Sequence, residues 1–184
     1  MSRIFSVIAL LVCLTIPAGA TVILPAEFRE IVAGSELIVH GRVIDVRSEW
    51  VDAGTRIESL VTIQPATFYR GSPAATITFR TPGGQVGRYK SVTVGAPEFQ
   101  LGEEAVLFLH GAGPAIPSVF GLNQGVFRVR VDTRGQRTVI LPALMARGQA
   151  PEIVVRGARE RRLLSLDQFG AQLRSVLQQQ GGAR

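Results

Sequence analysis

The sequence predicts a mainly β protein, a small antiparallel barrel of five to six strands with a short N-terminal helix and a C-terminal amphipathic helix. Extended runs with alternating apolar residues recur between glycine-containing turns, and apolar residues at helical spacing are found near the two ends. Closing such strands into a barrel removes exposed sheet edges, which favours a barrel over a flat sheet in a small domain.

The first twenty residues have the organisation of a secretory signal peptide. Arg3 supplies the positive charge, residues 4–16 are apolar, and Ala18-Gly19-Ala20 is a small-residue cleavage pattern. The apolar stretch is shorter than the about 20 residues that span a bilayer. We therefore expect a mature chain that is periplasmic or extracellular and has no membrane span after cleavage.

The first part of the mature chain predicts one helix and two long strands. Residues 25–34 begin with a proline and place apolar residues on one helical face up to a glycine. In ELIVHGRVIDVRSEW the apolar face changes beside Gly41, which predicts a β-bulge or a strongly coiled strand. RIESLVTIQPATFYRG is interrupted by Pro65, so this strand is expected to bend or lie at an edge there.

The second part predicts shorter strands and a closing helix. ATITFR is a short strand, AVLFLH is a buried central strand, and GVFRVRVD and RTVIL form a hairpin. Ser165 to Gln168 form a capping box, and apolar residues then repeat at helical spacing to about Gln180. The predicted organisation is a signal peptide over 1–20, a β-barrel domain over 21–145, a basic loop over 146–164 and a helix packing on the barrel over 165–184.

The order of these segments resembles a known module. SELIVHGRVIDV, VTIQPATFYRGS, ATITFR, APEFQLGEEAVLFLHG and GLNQGVFRV resemble the netrin-type module of the tissue inhibitors of metalloproteinases, and more closely a group of uncharacterised exported bacterial proteins. The resemblance covers about residues 26–131 and the closing helix, and it implies an OB-like five-stranded barrel. The animal inhibitors bind the protease zinc through a Cys-x-Cys amino terminus. The expected mature end here, residues 21–24, has no cysteine, so only the scaffold is implied.

The glycine-rich stretch RTPGGQVGR raises the question of a phosphate cradle. A Walker loop needs Lys-Ser or Lys-Thr after its last glycine, and a dinucleotide fingerprint must open a helix; Gly83, Gly84 and Gly87 fit neither pattern. We expect an ordered loop between strands with positive φ angles. Arg88, Tyr89 and Lys90 at its tip are candidate contact residues, because Arg and Tyr are enriched in interface hot spots.

A second candidate surface is the arginine cluster, formed by Arg156, Arg159, Arg161 and Arg162. The formal net charge of +6 permits contact with an anionic glycan or lipid surface but does not require it. A solvated segment explains the same charges. Nucleic acid is not an expected partner, because the chain is exported and aromatic residues make up only 7% of it.

Catalytic patterns are absent from the sequence. It has no G-x-S-x-G and no H-E-x-x-H motif, and its one cysteine lies in the leader, so we expect no cofactor and no metal. A hydrolase site built from His40 or His110, which could meet across a barrel, is the less favoured alternative. The sequence favours a non-catalytic module that binds another exported or envelope protein through the loops at 81–90 and 111–121. A protease is the partner class that the resemblance implies.

Overall fold

The computed structural model describes residues 24–111, 115–142, 152–153 and 162–182. This described part of the chain is mainly β, with one short and one long helix. A 3-10 turn at Asp52–Gly54 joins the first two strands. In chain order the elements are α1 (Phe28–Ala33), β1 (Leu37–Val51), β2 (Arg56–Arg70), β3 (Ile77–Pro82), β4 (Gly84–Val86), β5 (Tyr89–Ser91), β6 (Glu104–His110), β7 (Ser118–Val119), β8 (Val126–Val131), β9 (Arg137–Ile140), β10 (Glu152–Ile153), β11 (Arg162–Leu163) and α2 (Leu166–Gly181).

Five strands of the main sheet pair in a ring. β1 pairs with β2, β2 with β3, β3 with β7, β7 with β6, and β6 again with β1. Every pair is antiparallel except β3 with β7, where Arg80 lies opposite Ser118 in a parallel contact. β8 and β9 form the expected hairpin and extend the sheet from β6, so the main sheet has seven strands rather than five or six. β4 with β5, and β10 with β11, form separate two-stranded ladders.

The two predicted helices are present. At the start of α2 the Ser165 hydroxyl accepts a hydrogen bond from the Gln168 amide at 3.2 Å, and the Gln168 side chain accepts one from the Ser165 amide at 3.1 Å. This confirms the capping box, which satisfies two amide groups that the helix leaves unpaired. In the described part of the chain, neither helix combines the length and the apolar character that a membrane crossing requires.

β6 separates two apolar cores. Because successive side chains in a strand point to opposite faces, Val106 and Phe108 face the helices while Ala105, Leu107 and Leu109 face the interior of the ring. On the helix side, Phe28 packs edge to face against three other rings at centroid distances of 5.7 to 5.9 Å. The sequence-based prediction of a buried central strand is therefore confirmed, and α2 covers the outer face of this sheet.

The pairing of β1 is irregular where the sequence predicts a bulge. Its pairing with β2 shifts register between His40 and Gly41, and Gly41 lies opposite Pro65. A Cβ atom on Gly41 would lie 2.7 Å from the Gln64 carbonyl oxygen, so the two backbones approach more closely than any other residue permits. Beyond Ile63, β2 pairs with β1 alone among the residues that the structure describes, so Pro65 lies on an edge, as the sequence predicts.

We predict that Gly41→Ala lowers the free energy of unfolding by about 2 kcal/mol or more, because the added methyl group meets main-chain atoms that cannot rotate away. Urea denaturation measures the change. Gly181→Ala is the matched control, since a Cβ there has no neighbour within 4 Å in the described structure. Equal stability of the Gly41→Ala variant and the unmodified protein would show that the close approach does not exist.

Candidate functional site

A cleft with a volume of about 460 Å³ lies beside the ring. One wall is the inward-facing side of β1, β2 and β3, and the other is the segment 83–99, which includes the β4–β5 hairpin. Its lining mixes hydroxyl and apolar groups, among them Val46, Ser48, Ser59, Val61, Thr81 and Phe99. A concave site of this size and mixed character is the usual form of a binding pocket.

A chain of hydrogen bonds fixes the hairpin over this wall. The Ser59 hydroxyl donates to the Gly83 carbonyl at 2.8 Å, and the Gln85 amide donates to the Ser48 hydroxyl at 3.1 Å. The two hydroxyl oxygens are 3.0 Å apart, and since the Ser59 proton is already used, Ser48 donates to Ser59. Both serine protons are therefore committed to holding the hairpin, and neither side chain is placed as a nucleophile.

The glycines of RTPGGQVGR allow the hairpin to lie close against β1 and β2. Gly83, Gly84 and Gly87 all have positive φ angles, which confirms the predicted ordered loop. A Cβ on Gly84 would collide with both serine hydroxyls, and one on Gly83 would lie 2.9 Å from the Ser91 carbonyl oxygen. The stretch is the entry to a short hairpin that lies directly on two strands, and the hairpin is followed by another strand rather than by a helix.

The hairpin tip meets the end of β1 in a surface that we call the aromatic rim, made of Trp50 of β1 with Arg88 and Tyr89 of the hairpin. The rings of Trp50 and Tyr89 meet edge to face with centroids 5.6 Å apart, and the Arg88 guanidinium lies 5.0 Å from the centre of the Tyr89 ring. Trp50 is 42% exposed and Tyr89 50%. Val92 and Val94, which line the cleft, are 69% and 86% exposed, so apolar surface continues from the rim along the outer wall.

The structure brings together only some of the residues that the sequence singles out. Arg88 and Tyr89 lie at the hairpin tip and Lys90 lines the cleft. Arg156, Arg159 and Arg161 lie outside the described residues, and the backbone of Arg162 pairs in β11. No described residue of the second loop, 111–121, lines the cleft, and residues 112–114 lie outside the described ranges.

His40 belongs to a buried polar cluster away from the cleft. Its Nε2 atom lies 3.8 Å from Oε2 of Glu104, too far for a hydrogen bond, and Arg137 Nε lies 3.5 Å from the same oxygen. Arg42 donates to the other oxygen of Glu104. Burial lowers the pKa of His40, the Glu104 carboxylate opposes this shift, and the Arg137 charge adds to it. The imidazole is therefore neutral near pH 7.

The two histidines do not meet. His40 pairs with Val106, and His110 lies at the far end of β6, exposed and 3.3 Å from the Glu36 carboxylate. The sequence-based idea of a shared site across the barrel is therefore wrong, because the β1–β6 register separates the two rings. Within the described residues, no group of three or more His, Cys, Asp or Glu side chains is placed to hold a metal ion.

Glu104 of the buried polar cluster and the serine pair that holds the hairpin were not singled out in the sequence analysis. Glu104 is 8% exposed and is held by arginine side chains from two other strands, a role that the sequence does not indicate. The pairing of Ser48 with Ser59 could have been predicted from their positions in the sequence. Ser48 and Ser59 are equally distant from the four-residue connection 52–55, so a tight hairpin places them opposite each other.

No protein-family model matches the chain, and comparison with curated proteins and with solved structures found no match.

We predict that the free energy of unfolding falls as the pH drops below about 6.5, the ordinary histidine value, because the unfolded chain protonates His40 before the folded protein does. The loss continues until the pH reaches the lower folded pKa. Denaturant unfolding between pH 8 and pH 5 measures it. His40→Gln should remove this part of the pH dependence, whereas His110→Gln, which keeps His40, should retain it. An unchanged pH profile in His40→Gln would contradict the assignment.

Proposed function

We propose that the protein is an exported, non-catalytic binding module with an OB-like barrel, and that it binds another exported or envelope protein. The five-strand ring, crossed by one parallel pair, supports the barrel assignment, since small β domains close their sheets to remove edges. The signal-peptide pattern of residues 1–20 supports export to the periplasm or beyond. A secreted or envelope protease is the partner class that the netrin-type resemblance suggests.

The aromatic rim is the observation that carries this proposal. Interface hot spots are enriched in Trp, Tyr and Arg, and Trp50, Tyr89 and Arg88 lie in contact on one exposed surface. The rings are already packed against each other, so binding costs them little conformational entropy. The exposed Val92 and Val94 add apolar surface beside a cleft of mixed lining, and a partner would cover both.

The polar groups favour binding over catalysis. Ser48 and Ser59 use their protons to hold the hairpin, and His40 and Glu104 do not line the cleft. A nucleophile must lie within hydrogen-bonding reach of a base, and the hydroxyl chain ends on the Gly83 carbonyl instead. These contacts support a role in which the cleft holds a partner without reacting with it.

The arginine cluster supplies the second candidate, an anionic glycan or lipid surface. The two candidates respond differently to salt. Surface ion pairing fades as the Debye length falls from about 10 Å at 0.1 M salt to about 3 Å at 1 M, whereas a packed interface around aromatic side chains persists.

We predict that Tyr89→Ser weakens binding of the partner captured from the producing organism's secreted and envelope proteins by about tenfold or more, as for a hot-spot residue. Titration calorimetry with the purified partner measures the affinity. Replacing Arg156, Arg159, Arg161 and Arg162 with serine is the control, and should leave the affinity within about twofold at 1 M salt. Binding at about 0.1 M salt that survives Tyr89→Ser but is lost in the arginine variant would replace the protein partner with an anionic surface.

A further inference from the structure

The second half of β1 has an open edge, which we define as the side of Ile44–Trp50 that faces away from β2. From Leu37 to Arg42, β1 pairs with β6 on this side, and Val43 still exchanges hydrogen bonds with the backbone at Gly102 and Glu103. From Ile44 to Trp50, the backbone pairs with β2 alone among the described residues. Unpaired backbone groups in a row form a template on which another strand can pair.

The open edge borders the cleft, and its two faces differ. Val46 and Ser48 line the cleft, and Trp50, two residues further along the same face, contacts Tyr89 of the hairpin. The intervening residues are charged in the order Asp45, Arg47, Glu49, and none of the three forms an ion pair or a side-chain hydrogen bond with another described residue. A strand added here would place alternate side chains in the cleft and the others beside these charges.

We propose that the open edge accepts an extended segment of the partner protein by strand addition, with small apolar residues facing the cleft and charged residues in the order basic, acidic, basic on the outer face. This deepens the proposed function and rests on it. Opposite charges directly across a strand pair are favourable and like charges are unfavourable, so this order pairs with Asp45, Arg47 and Glu49 one by one. Backbone hydrogen bonds supply affinity, and the charges supply register and specificity.

Charge complementarity favours a partner strand over a second copy of this chain. In an antiparallel pair of identical edges, opposite residues share a face, so the pairing is centred on a residue. Centring on Val46 or on Ser48 pairs two of the three charges with opposite ones, and centring on Arg47 sets that guanidinium against its own copy. Only a strand with the complementary order pairs all three. Self-association is therefore an outcome that the test must separate.

Two synthetic peptides test the proposal on the full mature chain. One has the core Lys-Val-Glu-Val-Lys and the other Lys-Val-Lys-Val-Lys, so they differ only in the residue opposite Arg47. Trp50 is the only tryptophan of the chain and ends the open edge, so its fluorescence reports binding at this place. The unmodified protein should bind the first peptide about fivefold more tightly, and Arg47→Glu should reverse this preference by a similar factor.

Three controls make the result decisive. Arg130→Glu changes the net charge equally on an exposed residue of β8 and should keep the original preference. In the first peptide with N-methylated valines, the two valine amides cannot donate hydrogen bonds. Amides along a strand point alternately to its two edges, so the peptide loses backbone hydrogen bonds in the orientation that turns its valine amides toward β1. The fluorescence change of Trp50 should therefore be smaller. Sedimentation should show a monomer without peptide.

Equal affinities of the two peptides for the unmodified protein, no peptide binding, or dimerisation that Arg47→Glu abolishes would each overturn strand addition. These results would leave the proposed function standing if the partner still bound in a manner that depends on Tyr89. If the partner bound independently of Tyr89 while the first peptide still bound, the aromatic rim would not be the contact surface. The open edge would then remain the proposed site of strand addition.

Discussion

The close approach of two backbones, at Gly41 of β1 and Gln64 of β2, is the constraint on which the rest of the structure depends. It lets a fifteen-residue strand stay paired with β2 along its length, although the register shifts beside Gly41. The first half of β1 can then reach β6 and complete the ring, while the second half diverges from β6. The open edge begins where pairing with β6 ends, and two residues of this part of β1, Val46 and Ser48, line the cleft.

The residues that stabilise the fold and the residues that are exposed beside the cleft form separate sets. β6 places alternate side chains in two cores, so the helices and the ring interior are fixed by burial of aliphatic and aromatic groups. The buried His40–Glu104 cluster lies among strands at the outer face and contributes no lining residue to the cleft. What remains exposed beside the cleft is a rigid aromatic contact, a hydroxyl-anchored hairpin and a charged strand edge. That combination suits selective binding.

Features with a local cause were predictable from the sequence. The capping box of α2, the bulge at Gly41, the edge position of Pro65 and the burial of β6 each follow from residue types at short spacing. The cleft was not predictable, because it depends on the β4–β5 hairpin folding back over strands more than twenty residues earlier. The burial of Glu104 was also missed, since the arginines that hold it come from β1 and β9. Both the cleft and the burial of Glu104 depend on contacts between residues far apart in the sequence, which local patterns do not predict.

Amide hydrogen exchange across β1 tests most directly whether this strand is paired on both sides up to Val43 and on one side only from Ile44. Successive amides in a strand point to opposite neighbours, so a missing neighbour leaves every second amide open to water. We expect uniformly slow exchange from Leu37 to Arg42 and alternating slow and fast exchange from Ile44 to Trp50. Uniformly slow exchange from Ile44 to Trp50 would contradict it, because that edge would then already have a partner.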